Sequence, residues 1–412
     1  MKNINWIHSI VFCFIIGITA SCQPAVKPMK EGLWRGEFSV REYQIPFVFE
    51  VKGKGAGTTS LTLINGADRF ELNNIIFNND SVTIPIDLYD VVLKGKLTDN
   101  SFDGQYIKKS GDRKITTIPF KAKYGAFSRF PAGNEPPSIP LASTWDINIG
   151  DSVNLEKAVG NFDQKGSQIT GSILTPTGDY RFFEGTVEGK NFSLSAFGGS
   201  SPYLIQGTLL NDSILSGKFV TLRQTTKLEG KRNPKATLPD PYVASHLKEG
   251  FSSIDFSFPN LEGNKISLSD LKYKGKVTIV TVLGSWCPNC LDENAYLSSW
   301  YKANKQRGVE IIGLGFERKN DFESAKKSLS LLKDRLDIQY EILFAGQAST
   351  ASASKALPAL NGISAFPTTI FIDKKGNVRK VHTGFNGPAT GKFHEEFKKE
   401  FNELIDQLLA EK

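Results

Sequence analysis

Residues Val277 to Leu283 form a run of aliphatic and β-branched side chains that leads directly into Gly284-Ser285-Trp286-Cys287-Pro288-Asn289-Cys290. A run without polar alternation reads as a strand buried on both faces, which requires helices on either side of a sheet. Gly284-Ser285 then supplies a tight turn, and Pro288 suits the first position of a helix, where its missing N–H costs nothing. This strand–turn–helix places Cys287 at a helix N-terminus, whose unpaired N–H groups and dipole stabilise a thiolate. Cys290 follows one helical turn later, within reach of a mixed disulfide formed on Cys287. The segment therefore predicts thiol–disulfide exchange, with Cys287 attacking and Cys290 resolving.

The other cysteines leave this pair alone. Of the four cysteines, Cys13 and Cys22 lie at the N-terminus. Met1-Lys2 gives a positive start, Ile10 to Ala20 is apolar, and Thr19-Ala20-Ser21-Cys22 ends the segment. The apolar run is too short for a comfortable transmembrane helix but suits a signal peptide. Small residues before a cysteine resemble a bacterial lipobox, although Thr19 stands where leucine is commonest. The reading is a signal peptide over 1–21, lipidation of Cys22 and a tether over 22–31. The chain is expected in the bacterial cell envelope, lipid-anchored and facing the periplasm. Simple cleavage and secretion, or an uncleaved anchor, are the alternatives. An exported chain with one remaining C-x-x-C is not a disulfide scaffold. Zinc would need two further ligands, and His246, His382 and His394 lack ligand spacing, so no metal or other cofactor is expected. His382 reads as a structurally satisfied side chain. The net charge of +7 is mild for 412 residues, with no run of five like charges, which argues against nucleic acid as a partner.

Between the tether and residue 231 the chain reads as short strands separated by turn residues, among them Phe47–Val51, Thr59–Leu63, Ser81–Ile86 and Val91–Leu97. Two stretches, 32–127 and 144–231, look like copies of one unit, joined by a Pro- and Gly-containing linker over 128–143. Asp68-Arg69-Phe70 and Tyr180-Arg181-Phe182 lie 112 positions apart, as do Gly95-Lys96-Leu97 and Gly207-Thr208-Leu209. Trp34 and Trp145 stand near the two starts. Each copy predicts a small antiparallel barrel or sandwich of eight or nine strands. Gly32-Leu33-Trp34 resembles the opening of lipocalin-like barrels, but three residues transfer no ligand.

After a second linker over 232–249 the grammar changes. Helices are predicted at Pro288–Gln306, Asp321–Leu336 and Lys392–Glu411. Strands are predicted at Val309–Phe316, Tyr340–Phe344, Thr368–Ile372 and Val378–His382, with a hairpin over 256–268. Ala345 to Leu360 reads as an insertion with a short helix. The expected fold is thus two all-β repeats followed by an α/β domain over 250–412.

Residues 250–412 resemble the TlpA/ResA branch of thioredoxin-like proteins, carried by Trp286-Cys287-Pro288-Asn289-Cys290 and by Ala365-Phe366-Pro367-Thr368-Thr369-Ile370. The resemblance implies that Pro367 is a cis-proline opposite the cysteines. It places Trp286, Pro288 and Phe366 on the client-docking surface. Cys290-Leu291-Asp292-Glu293 matches a glutamate frequent in ResA-like proteins, which implies a proton relay for the resolving thiol. An exposed first-turn acid favoured by the helix dipole is the other reading of Glu293. Thr281 occupies the place of thioredoxin's buried aspartate, so that relay is absent here. The resemblance further implies a membrane-tethered reductase acting on thiol- or disulfide-bearing exported proteins and recharged by a reductant donor protein.

Two other functions compete. One is a peroxiredoxin-like thiol peroxidase, although Val280 and Gly284 replace the Pro and Thr of that family's Pro-x-x-x-Thr-x-x-Cys. The other makes the β repeats the working part, binding a ligand or partner.

Overall fold

The computed structural model describes residues 28–53, 57–110, 114–125, 128–131, 133 and 135–412. The expected signal peptide and the expected lipidation position, Cys22, lie outside the described residues. Among the described residues no helix is long and apolar enough to cross a membrane.

The first β repeat is one antiparallel sheet of nine strands, from Gly32–Val40 to Lys114–Tyr124. Its first strand pairs with the second and the ninth, while the edges Asp68–Leu72 and Ile76–Asn78 do not pair with each other. The sheet is therefore a half-barrel. Alternation drives its curvature inward: Leu61 and Leu63 on one strand, and Val82, Ile84 and Ile86 on another, are buried while their neighbours face outward. Phe38 and Phe47 stack at 4.2 Å inside it, and Gly36 leaves the space, since a Cβ there would come within 2.4 Å of the Phe47 ring.

The second repeat closes. Leu155–Lys165 pairs with both Ser143–Gly150 and Gln168–Thr175, which joins eight strands in a ring, with Gly178–Asp179 as an appended pair. The kinship of the two sheets is visible in their register. Gly95 faces Gly104 in the first and Gly207 faces Gly217 in the second. Trp34 and Trp145 are both fully buried, and each donates its indole N–H, over 2.9 Å, to the carbonyl four residues earlier.

An open sheet with an aromatic interior needs a cover, and the second repeat provides one. Phe197 packs edge-on to Phe38 at 4.7 Å and to Phe47 at 5.5 Å. Its backbone is held by Asn65, whose amide donates to the Phe197 carbonyl and accepts from the Phe197 N–H, both at 2.9 Å. Arg129, buried in the segment between the repeats, donates to the Pro46 carbonyl and the Ser195 hydroxyl at 3.2 Å. The two β units thus share a core.

The C-terminal region has the α/β fold that the resemblance implies. Five strands lie in the order Glu341–Gln347, Val309–Glu317, Val277–Leu283, Thr368–Ile372 and Val378–Thr383. The first three are parallel and the last two antiparallel. Val277–Leu283 and Val309–Glu317 are buried along their whole length. Helices α1 (Pro288–Asn304), α2 (Phe322–Leu336), α3 (Thr350–Ala356) and α4 (Lys392–Ala410) complete the domain. Helix α4 buries Phe393, Phe397, Phe401, Leu404 and Leu408, a spacing of three and four residues that keeps one face inward. Helix α3 lies in the insertion and is capped by Ser349, which accepts the Ser352 N–H.

Candidate active site

The buried central strand ends at Leu283, and the turn after it is fixed by the neighbouring strand. Glu317 accepts the Ser285 N–H and the Ser285 hydroxyl, each at 2.8 Å. Burial pushes the Glu317 carboxyl up to about 7, and the two Ser285 bonds act against that rise. The Trp286 indole donates to the Phe316 carbonyl at 2.9 Å, and its ring meets Phe366 edge-on at 5.5 Å. The Arg318 guanidinium lies over the same ring.

Cys287 is the N-cap of α1, with extended backbone, and its sulfur accepts the Cys290 N–H at 3.3 Å. Its thiol also faces the Phe366 carbonyl at 3.6 Å, across the cis peptide between Phe366 and Pro367. The two cysteines are not bonded to each other. Cys290 is fully buried, and burial together with the adjacent Cys287 sulfur raises its thiol pKa well above the ordinary value.

Glu293 is not an exposed first-turn acid: its exposure is 0%. Thr281 and Thr369, direct partners across the central strand pair, donate their hydroxyls to its two oxygens, both at 2.6 Å. Burial pushes the Glu293 carboxyl up to about 7, with the two hydroxyls restraining the shift. Thr281 thus supports a buried carboxylate that α1 supplies. Asn294 beside it donates to the Cys290 carbonyl and accepts from the Tyr340 hydroxyl, both at 2.7 Å.

Of the residues singled out from the sequence, Trp286, Cys287, Pro288, Cys290, Glu293, Phe366 and Pro367 come together here. His382 stands apart. It is buried between Tyr242 and Phe397 with Nδ1 on the Gly384 carbonyl, and burial pushes its pKa down to about 4. Among the described residues no group of three or more His, Cys, Asp or Glu side chains is arranged to hold a metal ion.

Sequence reasoning missed the residues that the β repeats bring to this face. Arg181 reaches Asp292 of α1 at 2.9 Å and Asp68 of the first repeat at 3.6 Å. Tyr89 is fully buried, and burial pushes its hydroxyl pKa up while Arg181 acts against that rise. Arg181 stood in the repeat signature and Asp292 beside Glu293, but neither position carries a signal of contact between domains.

Residues 250–381 match the model of the AhpC/TSA family. The chain is similar to the thiol-disulfide oxidoreductase ResA of Bacillus subtilis, with 31% identity over 140 residues, 34% of this chain and 69% of that protein. It is similar to ResA of Geobacillus kaustophilus at 30% identity over 135 residues, 33% of this chain and 69% of the relative. A solved thiol:disulfide interchange protein of the thioredoxin family from Chlorobium tepidum aligns with 40% of this chain and 99% of its own, at 22% identity and a TM-score of 0.30.

Proposed function

The chain belongs, through its C-terminal domain, to the ResA thiol-disulfide oxidoreductases, and from that premise we propose that it is a lipid-anchored reductase of disulfides in exported proteins. The observation that carries the reading is the placement of the two sulfurs. Cys287 sits at a helix N-terminus facing the Phe366 carbonyl, and Cys290 lies behind it, buried beside Glu293.

The cycle follows from that placement. The Cys287 thiolate attacks one sulfur of a client disulfide, and the other client sulfur leaves as a thiolate. Glu293 takes the Cys290 proton, and Cys290 then attacks the Cys287 sulfur. The client departs as a dithiol and a Cys287–Cys290 disulfide remains, so two electrons have passed to the client. A reductant donor protein returns the pair to the dithiol. Trp286, Pro288 and Phe366 form the surface against which an extended client segment docks, and Pro367 keeps the Phe366 backbone facing it. Acylation of Cys22 holds the molecule at the membrane with the redox domain on the periplasmic side.

The reduction potential of the Cys287–Cys290 couple tests the direction. A value towards the thioredoxin end, about −270 mV, is the expected result. A value near that of DsbA, about −120 mV, would make the protein an oxidant and overturn the reductase reading. Efficient removal of hydrogen peroxide by the reduced protein would instead favour the peroxidase.

A further inference from the structure

We infer that the two β repeats close over the dithiol, and that Arg181 is the specificity-determining residue that keeps protein-sized disulfides from Cys287 until the repeats, moving together, lift from the redox domain. The inference rests on Cys287 being the attacking thiol.

Contacts from the repeats flank the dithiol on both sides. On one side, the amide of Asn289, between the two cysteines, lies against the Gly178–Asp179 turn of the second repeat. With its nitrogen towards the Asp179 carbonyl it makes two bonds to that residue's backbone, at 2.9 and 3.1 Å. The turn presses so close that a Cβ on Gly178 would come within 1.9 Å of the Asn289 side chain. Asp179 also accepts the Gly387 N–H at 2.8 Å, which ties the turn to the loop after the last strand of the redox domain. On the other side, Arg318 donates to the Asp90 carboxylate at 2.7 Å and to the Tyr89 carbonyl at 3.1 Å, both in the first repeat. Cys287 is left 6% exposed.

The spaces that remain beside the dithiol are small. One cavity of about 240 Å³ lies against Pro288, Asn289 and Arg181, and another of about 250 Å³ against Trp286 and Arg318. Neither is lined by Cys287 or Cys290, and neither admits a folded client.

One guanidinium joins the three parts. Arg181 of the second repeat meets Asp292 of the redox domain and Asp68 of the first repeat, and its Nη1 donates to the Tyr89 hydroxyl at 3.4 Å. The three charged side chains are between 13% and 15% exposed. Without the cation the buried acids lose their counter-charge, and the bridge from Asp68 to Asp292 is gone. That arrangement relaxes by separation and rehydration. Arg181 therefore acts as a latch.

The test is site-resolved alkylation of Cys287 in the reduced full-length chain. N-ethylmaleimide is compared with a maleimide carrying a long polyethylene glycol, each scaled to its rate on a free peptide spanning residues 284–293. Closed states open to minor populations of 0.1–10%, so the bulky reagent should lag by at least about tenfold in the wild-type protein. Arg181→Gln and Asp292→Asn should both remove the lag, and Arg181→Lys should restore part of it. Equal relative rates for the two reagents in the wild-type chain would overturn the closure. A lag that persists in Arg181→Gln, or in Asp292→Asn should the first variant fail to fold, would overturn the latch. Reduction of a small aromatic disulfide by Cys287→Ser would instead sink the underlying reading of Cys287.

Discussion

Cys287→Ser should abolish reduction of a protein disulfide, whereas Cys290→Ser should still attack once and then stall as a trapped mixed disulfide. The asymmetry follows from where the sulfurs lie. Cys287 sits at the start of α1 against the Phe366 carbonyl, and Cys290 is fully buried behind it. A serine hydroxyl at 287 is not ionised near neutral pH and leaves no comparable nucleophile, so turnover should fall on the order of a thousandfold or more. With Cys290 replaced, the first exchange remains chemically possible and the second does not. The measurement is insulin reduction with dithiothreitol as electron source, together with mass spectrometry of the adduct formed when pre-reduced Cys290→Ser protein, freed of dithiothreitol, meets insulin. Adducts trapped on Cys290 in the Cys287→Ser protein would reverse the assignment.

The chemistry was legible because it is local. Strand, turn, N-cap, both cysteines and Glu293 lie within one short segment, and periodicity and helix-start rules act at that range. The partner loop at Phe366-Pro367 was legible through resemblance and not through any spacing rule. Glu293 shows where local reasoning stopped. A first-turn acid faces solvent or core according to what packs against the helix, and here Thr281 and Thr369 on two strands decide it.

The β repeats were legible as strands, but not in how the two sheets differ. Closure of the second depends on one pairing, Leu155–Lys165 with Gln168–Thr175, for which the first has no counterpart between its edges Asp68–Leu72 and Ile76–Asn78. Nothing in a strand's own alternation states whether its edge will be paired. Phe197 likewise reads as an ordinary apolar residue until the open sheet beside it needs a cover. Arg181 and Asp292 are 111 positions apart, and their pairing belongs to domain arrangement alone.

Glu293→Gln should make the protein more stable at neutral and alkaline pH while slowing its second chemical step. The carboxyl is held at about 7 in the folded protein against a reference of 4.5, with burial as the leading cause. A raised carboxyl pKa means that the folded state binds more protons than the unfolded chain between those two values. Stability therefore falls as pH rises through that window, and the penalty is complete above it. At about 1.4 kcal/mol per unit the full cost is about 3 kcal/mol, which glutamine avoids because it never ionises. The two unfolding curves should coincide near about pH 4 and separate by up to about 3 kcal/mol near about pH 8. A separation that does not change with pH would show that Glu293 keeps an ordinary carboxyl. In exchange kinetics the variant should resolve its mixed disulfide roughly a hundredfold more slowly and lose the titration near 7, since general base catalysis commonly contributes at least that factor. A variant that gained the stability and kept the resolution rate would leave Glu293 as a buried acid without a proton to carry. The expected pair, stability gained and resolution slowed, fits a destabilising charge retained beside the thiol it deprotonates, which is what its position between Thr281, Thr369 and Cys290 supports.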